Sequence, residues 1–220
     1  MDFARNYSLI LRMALQMEGI QVKREVFLRE VLGKYCNEDK VNLAIQRTPV
    51  DAEILNIIID LIADHVIQEE AEKVAKGSLV TGCLGTVGVV GELAQFLGFS
   101  LRVIQKLVYL YGGDEFTLNA EVEDRFTCFL GIMFGINIKI TEFKSFAKYA
   151  LTPRIEQQLC QQVLYAPIIK QVTYQMGKKL TKKGLYKLIP LGGIYLSSKL
   201  NAGYFLYRAE ELQKFLQELS

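Results

Sequence analysis

Cysteine, histidine, proline and long apolar runs are all scarce in this 220-residue chain, and each shortage removes a class of protein. The four cysteines, Cys36, Cys83, Cys128 and Cys160, stand far apart with no CxxC pair. Zinc sites and disulfide frameworks need closely spaced or paired thiols, so these read as reduced thiols of a cytosolic protein. His65 is the only histidine. A zinc site would therefore lack a second imidazole, and a Ser-His-Asp or Cys-His mechanism would have to run through this one ring. The longest uncharged windows are Gly77 to Gly91 (15 residues) and Phe126 to Ile138 (13 residues). Spanning a bilayer takes about 20 apolar residues, so no transmembrane helix is expected. At the N-terminus, Asp2 and Arg12 interrupt the apolar run, which fits a first helix and not a secretory signal.

What is present is apolar and lopsided. Half of the residues are hydrophobic and mean hydropathy is +0.17, which excludes disorder and assures a large core. The length suits one domain, or one domain with a small helical appendage. Between Gln157 and Ala209 there are eight basic residues and no acid over 53 positions, although the net charge of the whole chain is only +2. Such a basic quarter implies an anionic partner or an acidic partner face.

Apolar spacing predicts helices throughout. Ile10, Leu11, Met13, Ala14 and Met17 fall at helical intervals, as do Val26, Phe27, Val31 and Leu32. Thr48 as cap, Pro49 at the first position and Asp51 and Glu53 in the first turn predict a long helix to about Lys76. Its polar stripe of Glu53, Asn56, Asp60, Asp64 and Gln68 is narrow, so most of its circumference should be buried. Gly82, Gly85, Gly88 and Gly91 recur at a period of three before a second helix that stops at Gly112-Gly113. Further helices are expected over 119–134, from Thr141 to about Leu151, from Pro153, and with interruptions at Gly177, Gly184 and Pro190 after Pro167. No alternation supports a sheet. The expected fold is all-α: a helical bundle around a central glycine-rich apolar hairpin, about Gly77 to Tyr111, with 1–50 as an N-terminal helical extension and 51–220 as the main domain.

Few motifs carry chemistry. The glycine run follows a helix and lacks the strand, or the Lys-Ser/Thr, that phosphate loops require. It reads as close helix packing, or as room for an acyl chain. His65 has Glu69 one turn on and reads as a salt-bridged helix histidine; a lipid hydrolase using it is the enzymatic alternative. Asp60, Asp64, Glu69, Glu70 and Glu72 read as a solvated stripe. Glu92, Arg102 and Lys106 interrupt an apolar helix pair, and charges in such a setting are paired or functional. Either Glu92 bridges Arg102 across the hairpin, or Glu92, Arg102, Lys106 and Tyr109 bind an anionic head group. No cofactor or metal is implied.

The cluster Lys178, Lys179, Lys182, Lys183 and Lys187 runs directly into an apolar segment bearing Ile189, Leu191 and Tyr195. Six of the eleven tyrosines lie from Tyr165 onward. Lysines beside an apolar, tyrosine-bearing segment make an anchor for an anionic leaflet, each lysine near the surface adding about 1 kcal/mol. A solvated basic face explains the same residues. The modest pI and the lack of an RNA-binding motif argue against nucleic acid.

Two stretches together resemble the EcsC family. In the first, glycine-rich sequence leads into an acid (Glu92, where the family usually has Asp), then a helix carries Arg102 and ends in Tyr111-Gly112. The second, KKGLYKLIPLGGIYLSSKLN, places basic residues before an Ile-Pro with a small-residue run and a closing Asn201. The resemblance covers roughly Asp51 to Arg208 and implies a bacterial helical protein linked by name to an ABC-transporter operon, with no established activity. The expected function is a non-enzymatic, cytoplasmic protein, peripheral at the inner face of the cell membrane, that binds an anionic membrane surface or an apolar ligand. The alternative is a helical adaptor docking a membrane protein such as an ABC-transporter subunit.

Overall fold

The computed structural model describes residues 19–82, 85–113, 120–136 and 192–219, together with Thr141 and Tyr174. Among them are six helices and no strand: α1 Arg24–Leu32, α2 Glu38–Gln46, α3 Asn56–Gly82, α4 Gly85–Leu110, α5 Ala120–Met133 and α6 Gly192–Gln217. The all-α expectation is met. The expected elements over Ile10 to Met17 and, Thr141 and Tyr174 apart, between Thr141 and Leu191 lie outside the described residues.

Local chemistry accounts for the short helices. The Asn37 side chain accepts from Lys40 N at 3.0 Å and so caps α2, and Glu38 and Asp39 load its first turn. In α1, Phe27, Leu28 and Leu32 are buried at spacings of one and four, whereas Val26, expected on the inner face, is 60% exposed.

The long helix departs from expectation at its start. Thr48 does cap: its Oγ1 accepts from Asp51 N at 3.0 Å and donates to Asp51 Oδ2 at 2.8 Å. The helix it opens lasts a single turn. Ile54 N donates to Pro49 O and Glu53 N to Val50 O, the bond pair that closes a Schellman helix end, and Glu53 sits at its left-handed position with φ 52°. Gly112 and Gly135 hold positive φ at the ends of α4 and α5, where glycine is the usual residue. A side chain in that region is strained, so Glu53→Gly is expected to raise stability by about 0.5–1 kcal/mol, read as the urea midpoint at unchanged slope.

From Asn56 the chain resumes as α3, which runs past Lys76 to Gly82; the glycine run therefore belongs to the ends of two long helices. The buried stripe of α3 is Ile59, Ile62, Ala63, Val66, Ile67, Glu70, Ala71 and Val74, a 3.6-residue period. The face left open is wider than the expected polar stripe. Ile57 is 74% and Leu61 54% exposed, and they continue into His65 and Glu69.

Contacts fix the directions of the long helices. Asp60 meets Tyr111 and Glu70 meets Lys106, so α3 and α4 run antiparallel; Asp60 meets Gln217 and Asp64 meets Gln213, so α6 runs antiparallel to α3. Phe96 of α4 stacks edge-on against Phe134, just past α5, and Phe205 of α6, with centroids 5.5 and 5.8 Å apart. No helix among the described residues is long and apolar enough to cross a membrane.

Candidate functional site

The central feature is a carboxylate that the charge pattern of the sequence suggests is solvated. Glu70 is instead fully buried on the inner stripe of α3. Its Oε1 receives Lys73 Nζ at 2.8 Å from the next turn, and from α4 Lys106 Nζ at 2.9 Å and Arg102 Nη2 at 3.3 Å. Its Oε2 has no hydrogen-bond partner among the described residues. Three cations thus converge on one carboxylate, and Lys106 itself is only 9% exposed, with its ammonium 5.6 Å from the centroid of the Phe27 ring. Burial works against the Glu70 charge, but the ammonium of Lys106, the bond from Lys73 and the Arg102 charge outweigh it and hold the carboxyl below its ordinary range.

Arg102, Lys106 and Tyr109, three of the four residues singled out for an anionic head group, do gather on one region of α4. Their partners come from the protein itself. Arg102 also donates through Nη1 to the carbonyl of Gly19, and Tyr109 donates to the carbonyl of Val22 at 3.2 Å. Between them Gln105 Nε2 donates to Ile20 O at 3.0 Å, and its Oε1 accepts from Val22 N at 3.0 Å. Among the described residues Arg102 pairs with Glu70, on α3. Both residues of the expected Glu92–Arg102 bridge lie on α4, ten positions or about 15 Å of helix rise apart, with no hairpin between them. The side chain of Glu92 lies outside the described residues.

The sequence did hold a signal for Glu70. It follows Ile59, Ala63 and Val66 at spacings of four, three and four and precedes Val74 by four, which places it on the apolar face. Asp60 and Asp64 are partnered as well. Asp60 accepts from Tyr111 OH at 2.7 Å and Gln217 Nε2 at 2.9 Å, and Asp64 accepts from Gln213 at 2.9 Å. Burial and the neighbouring Asp60 push the Tyr111 phenol well above its ordinary value, so it stays a protonated donor.

His65 stands where expected on the helix surface, its Nε2 3.3 Å from Glu69 Oε1. Among the described residues no hydroxyl or thiol is bonded to it, so a hydrolase constellation has its acid and its ring but no nucleophile. His65, Glu69 and Lys106 border a cavity of about 80 Å³ beside Phe27 and Tyr35. Sites for organic ligands hold roughly 300–1,000 Å³, so this one suits a few waters. A groove of about 440 Å³ lies between α3 and α6, where Asp60, Asp64 and Glu210 outnumber Lys214 and leave it net acidic, the wrong character for an anionic head group. Among the described residues no three His, Cys, Asp or Glu side chains gather to hold a metal ion.

No protein-family model matches the chain, and no curated protein or solved structure shows significant similarity to it.

Proposed function

We propose that the protein is a peripheral membrane-binding protein that attaches to an anionic leaflet, at the inner face of the cell membrane, through its basic C-terminal quarter. The observation that carries this reading is the acid-free stretch from Gln157 to Ala209 with its eight basic residues. Electrostatic attraction brings such a segment to anionic lipid, and insertion of Ile189, Leu191 and Tyr195 holds it there. Lys178, Lys179, Lys182, Lys183, Lys187, Ile189 and Leu191 lie outside the described residues, and Tyr195 is described only as backbone of α6. The C-terminal half of α6 supports the reading. Phe205, Ala209 and Leu212 are fully buried there, so attachment through the basic segment would hold the whole helical body at the surface. The Arg208 guanidinium lies 5.0 Å from the ring of Tyr207, itself 52% exposed, an amphipathic pair of the kind found at interfaces.

Binding to vesicles is expected to require anionic lipid and to fall steeply with salt, because exposed charges are screened beyond about 8 Å at physiological ionic strength. Replacing Lys178, Lys179, Lys182 and Lys183 by Gln should remove most of the binding and leave the helical circular dichroism spectrum intact. A folded quadruple variant that sediments with anionic vesicles as well as the parent does would reject the reading.

A second reading, a helical adaptor, is favoured by a different observation. Val50, Leu55, Ile57 and Leu61 are 56%, 65%, 74% and 54% exposed around the start of α3. Exposed aliphatic residues gathered in this way suit a protein partner. The EcsC resemblance would make that partner a transporter subunit.

A further inference from the structure

Arg208, half-buried on α6, is bonded by no carboxylate or carbonyl among the described residues, and its Nε is buried without an acceptor. The acids closest to it in sequence are engaged elsewhere. Glu211, three residues on, pairs with Lys214 at 3.4 Å, and Glu210 lines the groove between α6 and α3. The end of α5 beside Arg208 is closed by its own backbone. Gly135 N donates to Ile132 O at 2.8 Å, and Ile136 N to Gly131 O at 2.9 Å. Arg208 is therefore not needed there as a cap.

The guanidinium is nevertheless held in one place. A Cβ on Gly135 would come within 2.7 Å of Nη2 and 2.9 Å of Cζ, so the planar group lies directly against the glycine. Its Cζ is 5.3 Å from the ring centroid of Tyr204 and 5.0 Å from that of Tyr207. Glycine and two rings thus occupy its flanks, and what remains to it is its edge, where the N–H donors lie. A planar fork fixed in this way loses little freedom when it binds. Donors drawn out of water and left unmet call for an acceptor from outside the protein.

We infer that Arg208, flanked by Tyr204 and Tyr207, is a binding site for a phosphate monoester, whether carried by a lipid head group or free in solution. The guanidinium fork matches two oxygens of a phosphate or a carboxylate. Two considerations select the monoester. With its flanks covered, the group admits a ligand only edge-on, which favours a slim terminal group over a diester substituted on both sides. A monoester also carries about −1.5 to −2 charges, more than a carboxylate, which suits a cation with no acid of its own. The inference rests on the membrane reading for the origin of the ligand: the lysine cluster attracts the protein to any anionic leaflet, and Arg208 adds a preference within it.

The test reads a ratio. The full chain is sedimented with vesicles matched in surface potential, carrying either phosphatidic acid or phosphatidylserine, which offers a carboxylate and a diester. The parent is expected to bind the phosphatidic acid vesicles about tenfold more tightly, the effect of one bidentate charged contact. Arg208→Lys keeps the charge without the fork and should bring the ratio close to one, its fold checked by circular dichroism. Tyr207→Leu, at an exposed ring, should lower the ratio in part. Replacing Lys178, Lys179, Lys182 and Lys183 by Gln should weaken binding to both vesicles alike, so failure of the lysine reading is distinct from failure of this site. A parent that binds both vesicles equally, or a ratio unchanged in Arg208→Lys, overturns the inference. A second arm needs no membrane. Amide resonances of Tyr207 and Arg208 are followed in titrations with dihexanoyl phosphatidic acid and with inorganic phosphate, against chloride at the same ionic strength. Saturable shifts with both assign the phosphate group itself as the ligand; shifts with one alone assign the lipid head group or the free anion. No shift with either, or the same shifts in Arg208→Lys, overturns the inference even where vesicle binding is absent.

Discussion

Glu70→Gln is expected to lower the melting temperature by about 10 °C. The amide keeps the shape of the carboxylate and removes its charge, leaving Lys73, Arg102 and Lys106 crowded together with no acid among their contacts with the described residues. Breaking a buried ion pair by removing one partner costs roughly 3–5 kcal/mol, and in a chain of this size each kcal/mol shifts the midpoint by about 2–4 °C. Lys106→Met alone should cost less than half as much, because Lys73 and Arg102 still neutralise the carboxylate. With Glu70→Gln already present, Lys106→Met should restore part of the loss, since it removes the most buried of the orphaned cations. A cycle of these variants in urea should give a coupling of about 1 kcal/mol or more; additive losses would reject the cluster as a unit.

Acid adds an independent check. The folded state holds the Glu70 carboxyl below its ordinary value of 4.5. A depressed folded value means that the carboxylate contributes stability above the unfolded value, and that this contribution is lost as pH falls through the folded one. The gap between the parent and Glu70→Gln should therefore be full at pH 7 and begin to close below about 4.5. A gap of constant size from pH 7 to pH 3 would mean that shape, not charge, is the source of the loss.

Local features of the fold were legible in the sequence; long-range partnerships were not. The stop at Gly112-Gly113 and the His65–Glu69 pair stand in the structure as the residues suggested. The Thr48 cap was also legible, but the helix it opens closes after one turn because Glu53 adopts a left-handed conformation, which residue preference assigns to glycine. Arg102, Lys106 and Tyr109 were recognisable as charged or polar groups on an apolar helix, and such groups need partners. Which partners they have was beyond reach. Glu70 is 36 positions from Lys106, and Val22 is 87 from Tyr109. Nothing in local spacing distinguishes a carboxylate supplied by a neighbouring helix from one supplied by a ligand. Glu70 itself was misjudged because it stands among Glu69, Glu72 and Lys73, and a charge run suggests solvent even when one member falls on the buried stripe.

Arg24→Met is expected to cost about 4 kcal/mol, although Arg24 meets no carboxylate among the described residues. Arg24 is 8% exposed, and its guanidinium is held by four backbone carbonyls: Ala44 at 3.1 Å, Ile45 and Arg47 at 2.6 Å, and Gly113 at 3.2 Å. Three of these close the C-terminal end of α2, where carbonyls lack intrahelical donors and the helix dipole favours a cation. The fourth lies just past the end of α4, so one side chain ties α1 to the ends of two other helices. Hydrogen bonds to a charged group contribute about 1.5–3 kcal/mol each, but four sharing one guanidinium are not additive, and water reaches some of the freed carbonyls in the variant. Arg24→Lys should recover little of the loss, because a single ammonium cannot address four carbonyls lying in different directions. The loss should also be uneven. Amides of α2 from Val41 to Gln46 should gain more in hydrogen-exchange rate than those of α3 and α4, since the bond set joins α2 to the body. An Arg24→Met protein that melts within about 2 °C of the parent, or one in which Arg24→Lys restores full stability, would show that the carbonyl cage is not what holds α1 and α2 in place.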